Sequence, residues 1–311
     1  MQTIVTLTLN PALDLSTATA AILPSEKMRC ATPRHDPGGG GINVARAVHA
    51  LGGQAVAVFP AGGPTGKMLQ DLLVAEGVLS EVVPIAGLTR ENLAVDEVST
   101  GRQFRFVMPG PCLSAAERQA CVDLLERFQP KPGYVVVSGS LPPDCPTDFY
   151  GEIVRWATRS DIRLILDTSG PALAVVKQAG VFLLKPNRLE LEHLVGRKLD
   201  SVGAIAEAAA ELVTKGHAQI VVASLGAEGA VLASSAGTQR FAAPRIDVRS
   251  TVGAGDSMVA GIVFGLSQGR SLVEAARLGI AAGAAALMRP GTELCRGEDV
   301  AALLKPQGLS L

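Results

Sequence analysis

Ser250-Thr251-Val252-Gly253-Ala254-Gly255-Asp256-Ser257-Met258-Val259-Ala260-Gly261 is the stretch on which the reading of this chain turns. Two glycines around one small residue let the backbone turn tightly and approach a ligand. Behind them Met258, Val259, Ile262, Val263 and Leu266 form an apolar helical pattern. The loop amides and the first helical turn then converge on one spot at the positive end of the helix dipole, which makes an anion site. Asp256 puts a carboxylate where an anion should bind. A general base needs that position if it takes a proton from a hydroxyl attacking a phosphoryl group held by those amides. The structural alternative is a Gly-rich turn with an Asp cap, and the stretch alone leaves the two level.

The totals bound the rest. The chain has 311 residues, 48% of them hydrophobic, enough for a large core in one α/β domain with an insertion. The 28 basic and 29 acidic residues leave a net charge of −1, so no global field draws in nucleic acid or an anionic membrane. Cys30, Cys112, Cys121, Cys145 and Cys295 are scattered and never in C-x-x-C spacing. They read as free thiols of a cytoplasmic protein, not as disulfides or zinc ligands. The first residues alternate Thr with apolar side chains and carry no basic leader, and the weakly apolar run Leu278 to Met288 is too short to span a bilayer. His35, His49, His193 and His217 have no metal-ligand spacing.

Short β-rich runs (4–9, 55–59, 134–137, 164–167, 182–185, 220–223) alternate with helical patterns (68–76, 115–128, 148–159, 189–195, 204–215). That alternation predicts parallel βαβ units, with helices on both faces of a mainly parallel sheet. Two segments break the rhythm. Residues 15–35 alternate loosely and contain Pro24 and Pro33, while 92–108 alternate at period two about Ser99-Thr100-Gly101. They predict a flap and a hairpin that pair into a small separate sheet, a lid built from about 12–36 and 88–108. An exposed apolar face on such a sheet suits a lid, a dimer contact or both.

Four loops fall where a parallel sheet binds ligands or opens a helix. Gly38-Gly39-Gly40-Gly41-Ile42-Asn43 sets four costly glycines before a helix, with an amide for hydroxyl groups. It is not a dinucleotide fingerprint. Lys185-Pro186-Asn187-Arg188-Leu189-Glu190 follows a buried strand. Asn187 and Glu190 could hold hydrated Mg²⁺, or form a helix-capping box; both readings stand. Ser224 to Ala230, with Gly226 and Gly229, is either a flat nucleotide wall or a turn into another strand. Ala61 to Met68 superficially resembles a phosphate loop but lacks its first Gly and its Ser/Thr, and reads as an ordinary loop. Lys27, Arg29, Arg90, Arg102 and Arg105 cluster in or near the lid, and Asp14 follows the first strand.

Taken together, Asn10-Pro11-Ala12-Leu13-Asp14, the Gly38–Asn43 run with Val44-Ala45-Arg46, Lys185-Pro186-Asn187 with Glu190, and Thr251–Asp256 resemble the ribokinase-like, B-type carbohydrate kinase (PfkB) family in residues and order. The resemblance covers nearly the whole chain. It implies a ribokinase-like αβα sandwich with a β lid, and ATP-dependent phosphorylation of a sugar. Lys27-Met28-Arg29-Cys30, Phe59-Pro60-Ala61-Gly62-Gly63, Arg105 to Gly110 and Ser138 to Pro143 are most similar to the branch acting on fructose 6-phosphate. Its close alternatives act on fructose 1-phosphate or tagatose 6-phosphate, and a non-catalytic sugar-phosphate sensor is the alternative of another class.

The resemblance also implies roles. Asp256 would be the base, and the amides of Gly253, Ala254 and Gly255 the anion hole. Asp14, Gly38, Gly39 and Asn43 would contact sugar hydroxyls. Lys27, Arg90, Arg105 and Ser140 would hold the substrate's phosphate. Lys185, Asn187 and Ser224 would contact ATP, Gly226, Gly229 and Gly283 would wall the adenine pocket, and Asn187 and Glu190 would sit around Mg²⁺. A K⁺ ion would lie at Ser250, Val252, Ala286, Arg289 and Gly291. A homodimer through the lid is expected.

Overall fold

The apolar runs assemble into one sheet in a computed structural model, which describes residues 2–178 and 180–311. In chain order the elements are β1 (Ile4–Leu7), β2 (Ala12–Thr19), β3 (Arg34–Gly38), α1 (Gly40–Ala50), β4 (Ala55–Ala61), α2 (Gly63–Ala75), β5 (Leu79–Pro84), β6 (Arg90–Glu97), β7 (Arg102–Phe106), α3 (Ala115–Glu126) and β8 (Tyr134–Ser138). There follow α4 (Phe149–Arg159), β9 (Arg163–Asp167), β10 (Val181–Leu184), α5 (Arg188–Val195), α6 (Val202–Thr214), β11 (Ala218–Ser224), β12 (Ala230–Ser234), β13 (Gly237–Phe241), α7 (Ala254–Ser267), α8 (Leu272–Leu287) and α9 (Gly297–Leu304).

Nine strands form the large sheet in the order β13-β12-β11-β10-β9-β8-β1-β4-β5. All pairs are parallel except the antiparallel edge β11-β12-β13. The strands are apolar on both faces because both are covered. Along β8, Tyr134 and Val136 belong to the core shared with α1, α2, α7, α8 and α9, while Val135 and Val137 belong to the one shared with α3, α4, α5 and α6. The chain leaves β1 towards β4 and leaves β8 towards β9, so the switch point lies between β1 and β8. Ligand crevices form there, at the carboxyl ends of the strands.

The second sheet has four strands in the order β3-β2-β6-β7. It is the separate sheet expected from the flap and hairpin, with Thr100 and Gly101 in the turn between β6 and β7. The sequence reading passed over β5 and β13, whose burial patterns are mixed or exposed. The buried β12 is the strand that the turn alternative at Ser224–Ala230 led into. The loop expected over Ala61–Met68 is corrected: α2 begins at Gly63, with Pro64 in its first turn. Pro at that position loses no helical hydrogen bond, so it marks a start. Thr65 Oγ1 donates to Thr89 O at 2.6 Å and ties the turn to the lid's base.

Candidate active site

Asp256 occupies the third position of α7, and the capping alternative fails there. The residue preceding the helix is Gly253, at φ 74°, and no side chain caps the first turn. Only glycine adopts that left-handed conformation without strain. The amides of Ala254, Gly255 and Asp256 are thus left without a capping side chain. The Asp256 carboxylate turns to a neighbouring helix instead, accepting from Asn43 Nδ2 at 2.9 Å. Asn43 is delivered by α1, which starts on the ends of the central strands: Ile42 N donates to Thr8 Oγ1 at 2.8 Å, just beyond β1.

Two groups that the sequence reading left without a role, or with only half of one, complete the floor. Lys185, just after β10, is buried and pairs with Asp167, the last residue of β9, at 3.1 Å. A side chain at Gly255 would place its Cβ 3.6 Å from Lys185 Nζ, so the ammonium lies against the start of α7. Burial would lower the Lys185 pKa, but the charge and hydrogen bond of Asp167 outweigh it and hold it above the ordinary value. Asp256 lies at the cleft floor, reached by some solvent but surrounded by protein. Burial, helped by the charge of Asp167 and opposed by Asn43 and Lys185, pushes it up to about 7. That places a carboxylate near the value suited to a base at neutral pH.

The lid supplies a second cluster. Asp14 on β2 sits in register between Asp36 on β3 and Asn92 on β6. Asn92 Nδ2 donates to Asp14 Oδ1 at 2.8 Å, and Asn92 Oδ1 accepts from Met108 N at 3.2 Å. Burial raises the Asp14 pKa despite Asn92, Arg90 and Arg105. A Cβ on Gly38 would fall 2.3 Å from Asp14 Oδ2, so that carboxylate packs on a bare backbone. Arg90 Nη2 donates to Asn10 O at 2.9 Å, and Asn10 Nδ2 donates to Ser140 Oγ at 3.2 Å. Arg90, Asn10 and Ser140 therefore form one connected group. Arg105 is exposed on β7, and Lys27 is exposed in the loop between β2 and β3, and neither side chain has an ion pair or hydrogen bond among the described residues.

The nucleotide-side expectations meet at one place. Asn187 and Ser224 form a parallel bridge, and Ser224 N donates to Pro186 O at 2.9 Å. A cavity of about 280 Å³ there is lined by Asn187, Leu189, Ile205, Ser224, Leu225 and Gly226. Gly229 closes the turn into β12. Asn187 and Glu190 form the reciprocal capping box. Asn187 Oδ1 accepts from Glu190 N at 2.9 Å, and Glu190 Oε2 accepts from Asn187 N at 2.8 Å. Burial raises the Glu190 pKa in spite of those bonds and of Lys185. Gly283 is buried where α8 crosses α7, and a Cβ there would lie 3.1 Å from Ala254 O, at the start of α7. Helix packing explains the missing side chain.

The two loops expected around K⁺ are adjacent. Ser250 Oγ donates to Gly291 O at 2.6 Å, Val252 N donates to Ser250 Oγ at 3.2 Å, and Arg289 N donates to Ala286 O at 3.1 Å. The Arg289 guanidinium points elsewhere, to Asp299.

Asn10, Asn92 and Asp167 are the site-lining residues that sequence reasoning gave no role. Asp167 had one signal, its place at the end of a predicted strand. Asn92 had none, because only the pairing of β6 with β2 sets it beside Asp14.

A carboxylate poised near neutrality at an uncapped helix start, facing a basic lid, is the architecture of a phosphotransferase acting on a hydroxyl. The chain belongs to the pfkB family of carbohydrate kinases, whose model matches residues 7–298. An ATP-dependent 6-phosphofructokinase isozyme 2 of Mycobacterium tuberculosis is 50% identical over 297 residues, 96% of this chain and 87% of that protein. Its Escherichia coli namesake is 44% identical over 301 residues, 96% of this chain and 97% of its own length. The crystal structure of phosphofructokinase-2 from Escherichia coli in complex with fructose-6-phosphate superposes with a TM-score of 0.94 at 41% identity, covering 99% of this chain and all of that one. That bacterial protein has also been solved with potassium and as a tetrameric inhibited form.

Proposed function

We propose that this kinase transfers the γ-phosphoryl group of ATP to the free primary hydroxyl of fructose 6-phosphate, giving fructose 1,6-bisphosphate and ADP. The observation that carries the reading is Asp256: a carboxylate raised to about 7 at an uncapped helix N-terminus. Asp256 takes the hydroxyl proton as the oxygen attacks phosphorus. The amides of Gly253, Ala254 and Gly255 receive the charge that develops on the transferring group, with Lys185 beside them. Asp14, Gly38, Gly39 and Asn43 orient the sugar. Arg90, Arg105, Ser140 and Lys27 bind its 6-phosphate, which explains a lid rich in donors. Lys185, Asn187, Ser224, Gly226 and Gly229 contact the nucleotide. Lid closure over the site excludes water and limits hydrolysis of ATP.

Mg²⁺ fits as an ion carried on the ATP phosphates. No group of three metal-ligating side chains occurs among the described residues; Asn187 and Glu190 each keep free lone pairs, and Glu190 lies within reach of the charges of Lys185 and Asp167. That oxygen set suits a hydrated divalent ion, which would neutralise phosphate charge. Ser250, Val252, Ala286, Arg289 and Gly291 would hold K⁺ through oxygens of the two adjacent loops. The lid exposes Leu23, Met28, Phe106, Val107 and Met108, a surface suited to a homodimer. No helix is long and apolar enough to cross a membrane among the described residues. ATP as donor fits a cytoplasmic enzyme.

The test is turnover by the purified protein with MgATP and, separately, fructose 6-phosphate, fructose 1-phosphate, tagatose 6-phosphate and fructose. Fructose 6-phosphate should have the highest kcat/KM. Preference for another sugar phosphate would overturn the substrate. Asp256→Asn should lose about three orders of magnitude in kcat while still binding ATP. Retained turnover in that variant would overturn the base.

A further inference from the structure

The motif that carries Asn43 also carries Arg46, one helical turn on, and the proposed chemistry leaves Arg46 without a task. Arg46 is well covered, with a side-chain exposure of 10%. Its Nε and Nη2 fork onto both carboxylate oxygens of Glu76, each at 2.6 Å. Nη1 donates to Pro37 O at 2.8 Å and to Asn43 Oδ1 at 3.4 Å. Asp36 Oδ1 stands 3.9 Å from Nη2. The guanidinium is therefore anchored from the residue that ends α2 and from β3 before it meets Asn43.

Asn43 stands between two partners of different character. Its Nδ2 donates to Asp256 at 2.9 Å, and its Oδ1 faces Arg46. A guanidinium can only donate. Asp256 can do either: ionised it accepts, protonated it can donate. A rotated Asn43 amide would accept from the protonated acid, and its NH₂ would then confront the guanidinium, donor against donor. Arg46 thus opposes the one pairing that would favour the acid form.

Resting on Asp256 as the base, we propose that Arg46 is a positioning residue: it holds the Asn43 amide with NH₂ towards Asp256 and so favours the ionised base. Other charges face these groups. Asp167, Lys185 and Asp14 act on Asp256, and Glu76 and Asp36 face Arg46. Because Glu76 neutralises the guanidinium through the fork, Arg46 acts through the amide and not through its own field.

The test is a double-mutant cycle read on the pH dependence of kcat with MgATP and fructose 6-phosphate. Arg46→Met should move the acid limb up by roughly one pH unit, the worth of one hydrogen bond to a charged group. Arg46→Lys, which keeps charge and donors without the fork, should restore part of that shift. In an Asn43→Ala background, Arg46→Met should produce no further movement. Arg46→Met/Glu76→Met removes the stranded carboxylate, guards against misfolding, and should show the acid limb of Arg46→Met. An unmoved acid limb in folded Arg46→Met, or equal shifts with and without the Asn43 amide, would overturn the proposal. Asp256→Asn in the same assay separates the two readings. Retained turnover there removes the base itself, while abolished turnover beside an unmoved limb in Arg46→Met removes only the role of Arg46.

Discussion

Lys185 Nζ lies 3.1 Å from Asp167 Oδ1, joining the ends of two adjacent parallel strands beside the helix start that carries Asp256. An ammonium in that place serves two ends. It cancels one carboxylate of an acidic floor, and it would present a positive charge to the phosphoryl group proposed to bind at α7.

Breaking this pair should cost more than removing it. Lys185→Met leaves Asp167 largely buried and uncompensated, and should lower the unfolding free energy by about 3 kcal/mol in urea titration. Lys185→Met/Asp167→Asn should regain most of that stability and none of the affinity for ATP. Equal destabilisation in the single and double variants would mean that the pair's charges do not govern stability here.

The raised Asp256 carboxyl sets both activity and stability against pH. With Asp256 as the proposed base, activity needs its ionised form, so kcat should fall as pH drops through about 7, with a slope of one proton. Stability runs the other way. The unfolded carboxyl loses its proton near the ordinary aspartate value of 3.8, the folded one near 7. Between those values the folded state holds the extra proton, so this group's contribution is full below the unfolded value and is lost as pH rises through the folded one. Asp256→Asn should therefore stabilise the protein at pH 8, by about 2 kcal/mol once solvent access at the cleft is allowed for. The gain should vanish near pH 4. Melting temperatures of both forms across this range are the measurement, and a gain that does not change with pH would count against the burial of the charge.

Gly38→Ala puts a methyl group where Asp14 Oδ2 now packs. Asp14 must swing away, and its hydrogen bond to Asn92 breaks. The expected result is a KM for the sugar raised about tenfold, the worth of one hydrogen bond, with KM for ATP unchanged. Steady-state kinetics with each substrate varied in turn would detect it, and an unchanged sugar KM would free Asp14 from its assigned role.

Much of the architecture was legible in the chain. Apolar runs such as Tyr134–Val137 and Leu164–Asp167 declared buried parallel strands, and period-two alternation about Thr100 and Gly101 declared the hairpin, because burial on one or two faces dictates those patterns directly. The edge strand β13 was not legible, since a short strand exposed along most of its length need not carry a strong pattern.

Asp256, its glycines and the basic lid were determined by the sequence itself: few arrangements besides phosphate chemistry need those residue types so close together. Which neighbours they meet was decided only by the tertiary structure. Asn43 lies 213 positions from Asp256, Asp14 lies 78 from Asn92, and Lys185 meets Asp167 across two strands. Local propensity carries no record of such distant pairings; strand order and register create them. The elevated Asp256 carboxyl follows from the same source, because desolvation and the charge of Asp167 exist only once the chain has folded around it.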